Sequence, residues 1–222
     1  MSDESKNIVK RLRRLDCCAV SDALDRLKLH GAVTGIPLRA GAGRIAGQVT
    51  TLKLGTGEPP PGPPVHLGCT AIELSGPDHV IVIEQRSGIE AACWGGLLSL
   101  GAKTRGVAGI IADGAVRDID EAVTYQFPVF ARGLTCRTAR GRVVEKGTNI
   151  PVEIGEIAVN PGDYVLADSS GIVFLPRARA EEILDIAETV VMKEAVMSKG
   201  ILSGTPISQV MGKTYEQMLK DS

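Results

Sequence analysis

The residues of this 222-residue chain that could do chemistry gather in one stretch, 91–121, AACWGGLLSLGAKTRGVAGIIADGAVRDIDE. Two parts of it could hold a ligand. Gly95 and Gly96 precede Leu97 and Leu98 at the expected opening of a helix over 97–104. The first N–H groups of a helix have no intrahelical partner, and the helix dipole adds partial positive charge there. Bare glycine backbone lets a carboxylate or phosphate come close to those groups. Farther on, an expected strand over 107–112 and a turn over 113–116 deliver Arg117 and Asp118 side by side. An arginine fork grips a carboxylate through two N–H groups. An aspartate ligates a hard cation such as Mg2+ or Mn2+, which keeps several of its waters. Together these groups would seat a 2-oxo acid by its carboxylate and keto oxygen, with the metal stabilising an enolate at the neighbouring carbon.

Each part also has a plainer reading. A glycine-lined helix start equally marks close helix–strand packing. Asp118 with Glu121 makes a loose helix capping box, and Arg117 could form an ordinary surface ion pair of little energetic weight. Spacing alone leaves cap and ligand open for Asp118. Cys93, beside Trp94, is a candidate nucleophile, but His30, His66 and His79 fall in no recognisable Cys/His arrangement, so a small buried residue is the better reading. The other cysteines are Cys17, Cys18, Cys69 and Cys136; an odd total without a CxxC argues against a disulfide framework or a thiolate zinc site.

The surrounding pattern predicts the scaffold. A helix over 5–14 turns Ile8, Val9 and Leu12 inward, and Asp16 caps a second helix with Cys17, Val20, Leu24 and Leu27 on one stripe. A strand over 44–54 is interrupted by Gly47, which marks a bulge or a close approach. The proline-rich run 57–66 is a loop, read equally as a lid and as a surface connection. A helical turn over 70–74, the β-branched run 79–84, a short helix over 121–125 and a strand over 128–132 follow. The segments 164–168 and 172–175 form a hairpin, and 178–198 is helical with Ile183, Ala187, Val190, Val191 and Ala195 at helical spacing. The tail 200–222 is weakly patterned. The result is an α/β layered sandwich with mixed strand directions and helices at both ends of the chain.

No linker or charge block divides residues 1–222, so a single domain is expected. An apolar fraction of 44% with only 3% aromatic residues predicts an aliphatic core of small side chains. A net charge of −1 gives no electrostatic case for a nucleic-acid or membrane partner. The polar start MSDESKNIVK predicts no signal peptide, and no apolar run reaches the roughly 20 residues that span a bilayer, so a cytoplasmic location is expected.

The run WGGLLSLGAKTRGVAGIIADGAVRDIDE resembles the RraA-like family, which includes the class II 4-hydroxy-4-methyl-2-oxoglutarate/4-carboxy-4-hydroxy-2-oxoadipate aldolases. VSDALDRL at 20–27 and PGDYVLADSSGIVFLP at 161–176 extend the likeness over about 16–200. The resemblance implies a swivelling β/α sandwich assembled as homotrimers or homohexamers, with sites between subunits. It implies that the amides of Gly95, Gly96, Leu97 and Leu98 hold a pyruvyl carboxylate, that Arg117 binds substrate and that Asp118 ligates Mg2+ or Mn2+. Glu194 is the closest match to a glutamate that reaches the metal through water from the neighbouring subunit's C-terminal helix. The implied activity is release of pyruvate from a 4-hydroxy-2-oxo acid, with oxaloacetate decarboxylation by the same chemistry. The family also contains regulators that inhibit ribonuclease E by protein–protein contact. Older labels of this family as menaquinone methyltransferases find no support, because no early strand leads into a GxGxG turn. One position departs from the aldolase pattern: the acid that follows the first motif glycine is replaced by Gly96. Asp113 and Asp120 are the acids read as able to compensate.

Overall fold

A computed structural model describes residues 2–41, 43–63 and 65–212. Its helices are α1 (Asp3–Leu12), α2 (Cys17–Arg26), α3 (Cys69–Leu74), α4 (Gly96–Thr104), α5 (Ile119–Thr124), α6 (Ala180–Leu202) and α7 (Ile207–Val210). The strands are β1 (Ala32–Val33), β2 (Leu38–Ala40), β3 (Ile45–Gly55), β4 (His79–Glu84), β5 (Gly109–Val116), β6 (Val129–Leu134), β7 (Val144–Thr148), β8 (Val152–Ile154), β9 (Ile157–Val159), β10 (Tyr164–Ala167) and β11 (Ile172–Leu175).

One mixed sheet runs β1-β11-β10-β3-β4-β5-β6-β2, with β7 added to β3, while β8 and β9 form a separate hairpin. The four central strands, β3 to β6, are parallel, and the flanking pairs are antiparallel. Alternation along the strands sorts the core. Ile81, Ile83, Ile110 and Ala112 point to the face covered by α3, α4 and α5. On the antiparallel side, Ala46, Tyr164, Leu166, Val173 and Leu175 meet α1, α2 and α6. Their neighbours one residue away, among them Val80, Val82, Ile111, Val165 and Phe174, pack on the opposite face against Val152, Ile154 and Val159 of the small hairpin. Burial on both faces explains why β4 reads as a continuous apolar run.

Local expectations hold at several points. Asp16 caps α2, its Oδ1 accepting from the Ala19 N–H at 2.9 Å. Gly47 is a close approach: a Cβ there would lie 2.8 Å from the Asp78 carbonyl oxygen and 2.9 Å from Val80 Cγ2. The hairpin of β10 and β11 forms with Leu166 opposite Val173.

Two expectations are corrected. Residues 113–116 are not a turn but the second half of β5, where Ala115 pairs with Gly133 and Val116 with Leu134 after a register shift. Asp113 can sit within the strand because its carboxylate is paired: Arg132 Nε donates to Oδ1 and the Gly155 N–H donates to Oδ2 at 2.7 Å. Gly114 is required by packing there, since a Cβ would stand 2.7 Å from Gln85 Cβ. The apolar stripe of α6 is buried only as far as Val190, and Ala195 is exposed. Beyond the core that helix presents Met192 and Val196, 62% and 73% exposed, because it outruns the α1–α2 surface it packs on. Part of the C-terminal tail, 213–222, lies outside the described residues. No described helix is long and apolar enough to cross a membrane.

Candidate functional site

The site is built where β5 ends. Residues 92–94 run beside that end: the Cys93 N–H donates to the Ala115 carbonyl at 2.8 Å, and the Arg117 N–H donates to the Trp94 carbonyl at 3.0 Å. This pairing sets Gly95 against the Arg117–Asp118 step before the chain enters α4. The turn is pinned from inside. Trp94 Nε1 donates to Ser99 Oγ at 3.0 Å, and that hydroxyl donates to the Gly95 carbonyl at 3.1 Å. Trp94 and Ser99 are both buried. Asp118 takes a left-handed backbone conformation, φ 55°, which turns the chain sharply from β5 into α5. Aspartate tolerates that region better than bulkier residues.

Asp118 is the junction of the site. Its Oδ2 accepts from the Gly96 N–H and from Arg117 Nε, each at 3.1 Å. It makes no side-chain bond to the first turn of α5, so the Asp118–Glu121 capping box does not form. Instead, Asp118 serves the first amide of α4, a negative group at the positive end of that helix. Glycine at 95 leaves room for this: a Cβ would lie 2.8 Å from Asp118 Oδ2 and 3.4 Å from Arg117 Cγ. Of the four amides expected to face substrate, Gly96 already donates to Asp118, whereas those of Gly95, Leu97 and Leu98 have no hydrogen-bond partner among the described residues. Arg117 uses Nε on Asp118 and keeps both terminal guanidinium nitrogens unpaired among the described residues.

These groups line one wall of a cleft of about 390 Å3. His66, Thr138 and Arg140 stand in the lining as well. None of the three was singled out from sequence. His66 was passed over for want of a cysteine partner, although its place at the end of the proline-rich run was a usable signal. Its Nδ1–H donates to the Leu67 carbonyl at 2.9 Å, which leaves Nε2 as the free ring nitrogen. Much of the proline-rich loop borders an adjoining cavity that shares His66, Leu67 and Arg140 with the cleft.

Other expected groups are inert, already paired or stand elsewhere. Cys93 backs the cleft but is fully buried, and burial pushes its thiol up to about 12, so it is an inert core residue. Asp113 is spent on Arg132 and Gly155, and Asp120 does not line the cleft. Glu194 lies on the exposed half of α6, outside the lining of its own chain's cleft. Partial burial and then the charges of Asp16 and Asp22 push its carboxyl above the usual range. Glu121, read from sequence only as a capping partner, lines the cleft next to Gly96.

Could these residues hold Mg2+ or Mn2+? Asp118 Oδ1 and the Glu121 carboxylate have no hydrogen-bond or ion-pair partner among the described residues, and oxygen donors suit a hard cation. No group of three or more His, Cys, Asp or Glu side chains among the described residues is arranged around one point. The donor set therefore fits a cation that keeps most of its waters and not a closed protein cage.

The family model for RraA-like proteins (Aldolase/RraA) matches residues 17–174. The DlpA protein of Legionella pneumophila is 29% identical over 218 residues, covering 97% of this chain but only 35% of that protein. The chain thus spans about a third of that relative's length. A Halalkalibacterium halodurans protein, provisionally named 4-hydroxy-4-methyl-2-oxoglutarate aldolase, is 29% identical over 189 residues, 85% of each chain. Among solved structures, an uncharacterised Pseudomonas syringae protein superposes with a TM-score of 0.82 at 28% identity, covering 93% of this chain and 98% of that one. Streptomyces coelicolor RraAS2, described as an unusual member of the RNase ES inhibitor RraA family, superposes with a TM-score of 0.78 at 24% identity, over 87% and 97% of the two chains, a likeness of fold.

Proposed function

Since the chain belongs to the RraA-like (Aldolase/RraA) family, we propose that it is a divalent-metal-dependent lyase that splits a C–C bond of a 4-hydroxy-2-oxo acid and releases pyruvate. Decarboxylation of oxaloacetate would use the same enolate chemistry. One observation carries the reading: a single carboxylate oxygen of Asp118 joins the opening amide of α4 to Arg117, so carboxylate, guanidinium and helix N-terminus share one cleft. The aldolase name carried by the Halalkalibacterium relative supports the same reaction class.

Mg2+ or Mn2+ bound at Asp118 would supply a Lewis acid for the keto oxygen and for the enolate charge. The chain's own residues do the rest. The terminal nitrogens of Arg117 clamp the substrate carboxylate, and the unpaired amides of Leu97 and Leu98 receive its second oxygen at the positive end of α4. The room beside Gly95 and Gly96 is taken by the Asp118 and Glu121 carboxylates, so the substrate carboxylate meets the helix at Leu97 and Leu98. His66 and Arg140, also in the cleft lining, meet the part of the substrate beyond the bond that breaks, and the Arg140 guanidinium, unpaired among the described residues, favours a second acidic group. The functional unit is a homotrimer or homohexamer in which Glu194 enters the neighbouring subunit's cleft; the exposed Met192 and Val196 on the same half-helix support burial between subunits.

The test is pyruvate release from 4-hydroxy-4-methyl-2-oxoglutarate and from oxaloacetate with Mg2+, Mn2+ or EDTA, for wild type and Asp118→Ala. Metal-dependent turnover that the substitution lowers by at least about a hundredfold is expected, since it removes the cation's protein ligand. Turnover no greater than the metal alone gives would refute the reading. A second reading, inhibition of ribonuclease E by protein contact, draws on the absence of an acid at Gly96. Slowed ribonuclease E cleavage at stoichiometric protein would support it, and unchanged cleavage would remove it.

A further inference from the structure

The space that a side chain at position 96 would occupy is already filled. A Cβ built on Gly96 would lie 1.7 Å from Glu121 Oε2 and 2.5 Å from its Cδ. The carboxylate of Glu121 therefore rests directly over the bare backbone at the first residue of α4, beside the amide that donates to Asp118. It has no hydrogen-bond or ion-pair partner among the described residues, and it lines the same cleft as Arg117 and Asp118.

We propose that Glu121 is the second acid of this cleft, holding the waters of the divalent cation from α5 in the place where Gly96 leaves α4 without a side chain. The inference rests on the reading of the cleft as a cation-assisted lyase site. Glu121 is exposed, so a side chain at 96 would displace its carboxylate by swinging that flexible side chain aside. A bland role for Glu121, as a negative charge in the first turn of α5, would be met equally by Asp120, which occupies that turn and does not line the cleft. Asp113, the other nearby acid, is held by Arg132 and Gly155.

Mn2+ binding to the intact protein, followed by the electron paramagnetic resonance signal of the free ion, tests the assignment. Glu121→Gln and Glu121→Ala should weaken binding about tenfold or more, as loss of a group that orders metal-bound water does. Asp120→Asn should leave it unchanged. Gly96→Asp combined with Glu121→Ala moves the acid across the gap and should bring affinity back to within about threefold of wild type. Wild-type affinity in Glu121→Gln, or a double variant no better than Glu121→Ala, overturns the proposal. So does a wild-type protein with no Mn2+ site that Asp118→Ala removes. Pyruvate release on the same samples separates the two ideas. Affinity that follows the acid without substrate cleavage sinks the lyase reading and leaves Glu121 assigned, whereas metal-dependent cleavage undiminished in Glu121→Gln does the reverse.

Discussion

Ser99→Ala isolates the internal brace of the site. Ser99 and Trp94 are 1% and 2% exposed, so water cannot replace the bond that the indole N–H loses. An unpaired buried donor costs about 1–3 kcal/mol. The Gly95 carbonyl is less affected, because it still accepts from the Ser99 N–H at 3.0 Å; losing its second donor costs about 0.5 kcal/mol. Alanine's better helix propensity returns a similar amount, so the net loss is about 2 kcal/mol. In Trp94→Phe the indole donor is gone, and the Ser99 hydroxyl keeps the Gly95 carbonyl as its acceptor. Adding Ser99→Ala to that background should then cost close to nothing, because the lost bond to the Gly95 carbonyl and the propensity gain cancel, giving a coupling of about 2 kcal/mol. Urea denaturation followed by far-ultraviolet circular dichroism, at one fixed protein concentration, measures all four corners of the cycle. Because Trp94 is the single tryptophan, its fluorescence also reports in Ser99→Ala whether the turn has loosened. If Ser99→Ala costs the same in both backgrounds, the bond does not brace the α4 turn and the account is wrong.

Two further substitutions test the scaffold by pH. Asp168 accepts from the Cys17 N–H at 2.9 Å and the Ser170 N–H at 2.8 Å. Burial, the largest influence, pushes its carboxyl up, but these donors and Arg44 outweigh it and hold the group below its ordinary value. Asp168→Ala should therefore destabilise the protein above about pH 4, with the deficit closing as pH falls through the depressed folded value; a deficit that stays constant down to acid denaturation would contradict this. Glu194 is displaced the other way, so its charged form opposes folding as pH rises. Glu194→Gln should raise the urea midpoint at neutral pH, lose that advantage below about pH 4, and still lower pyruvate release if the residue serves a neighbouring cleft. A neutral-pH midpoint below wild type would show that Glu194 is instead held by a favourable partner.

What could be read in the sequence was what depends on near neighbours. The β-branched run in His79–Glu84 and the cap at Asp16 are local patterns, and both appear as expected. The Asp113-Gly114 pair misled for the same reason: locally it is a turn signal, but Arg132 and Gly155, distant in sequence, pay for the buried charge and keep the segment in the sheet. Asp118 shows the limit within the site. Its nearest apparent role was to cap its own helix, yet the amide it serves is Gly96, which pairing of 92–94 with the end of β5 brings alongside. Gly96 was legible as an open helix start and as a missing acid. Its meaning depends on Glu121, because the two residues share one volume and neither pattern nor spacing reports shared volume. A motif position emptied in sequence can thus be filled in space. Whether such a loss disables a site has to be judged from what occupies the vacated room, and here that occupant is another carboxylate.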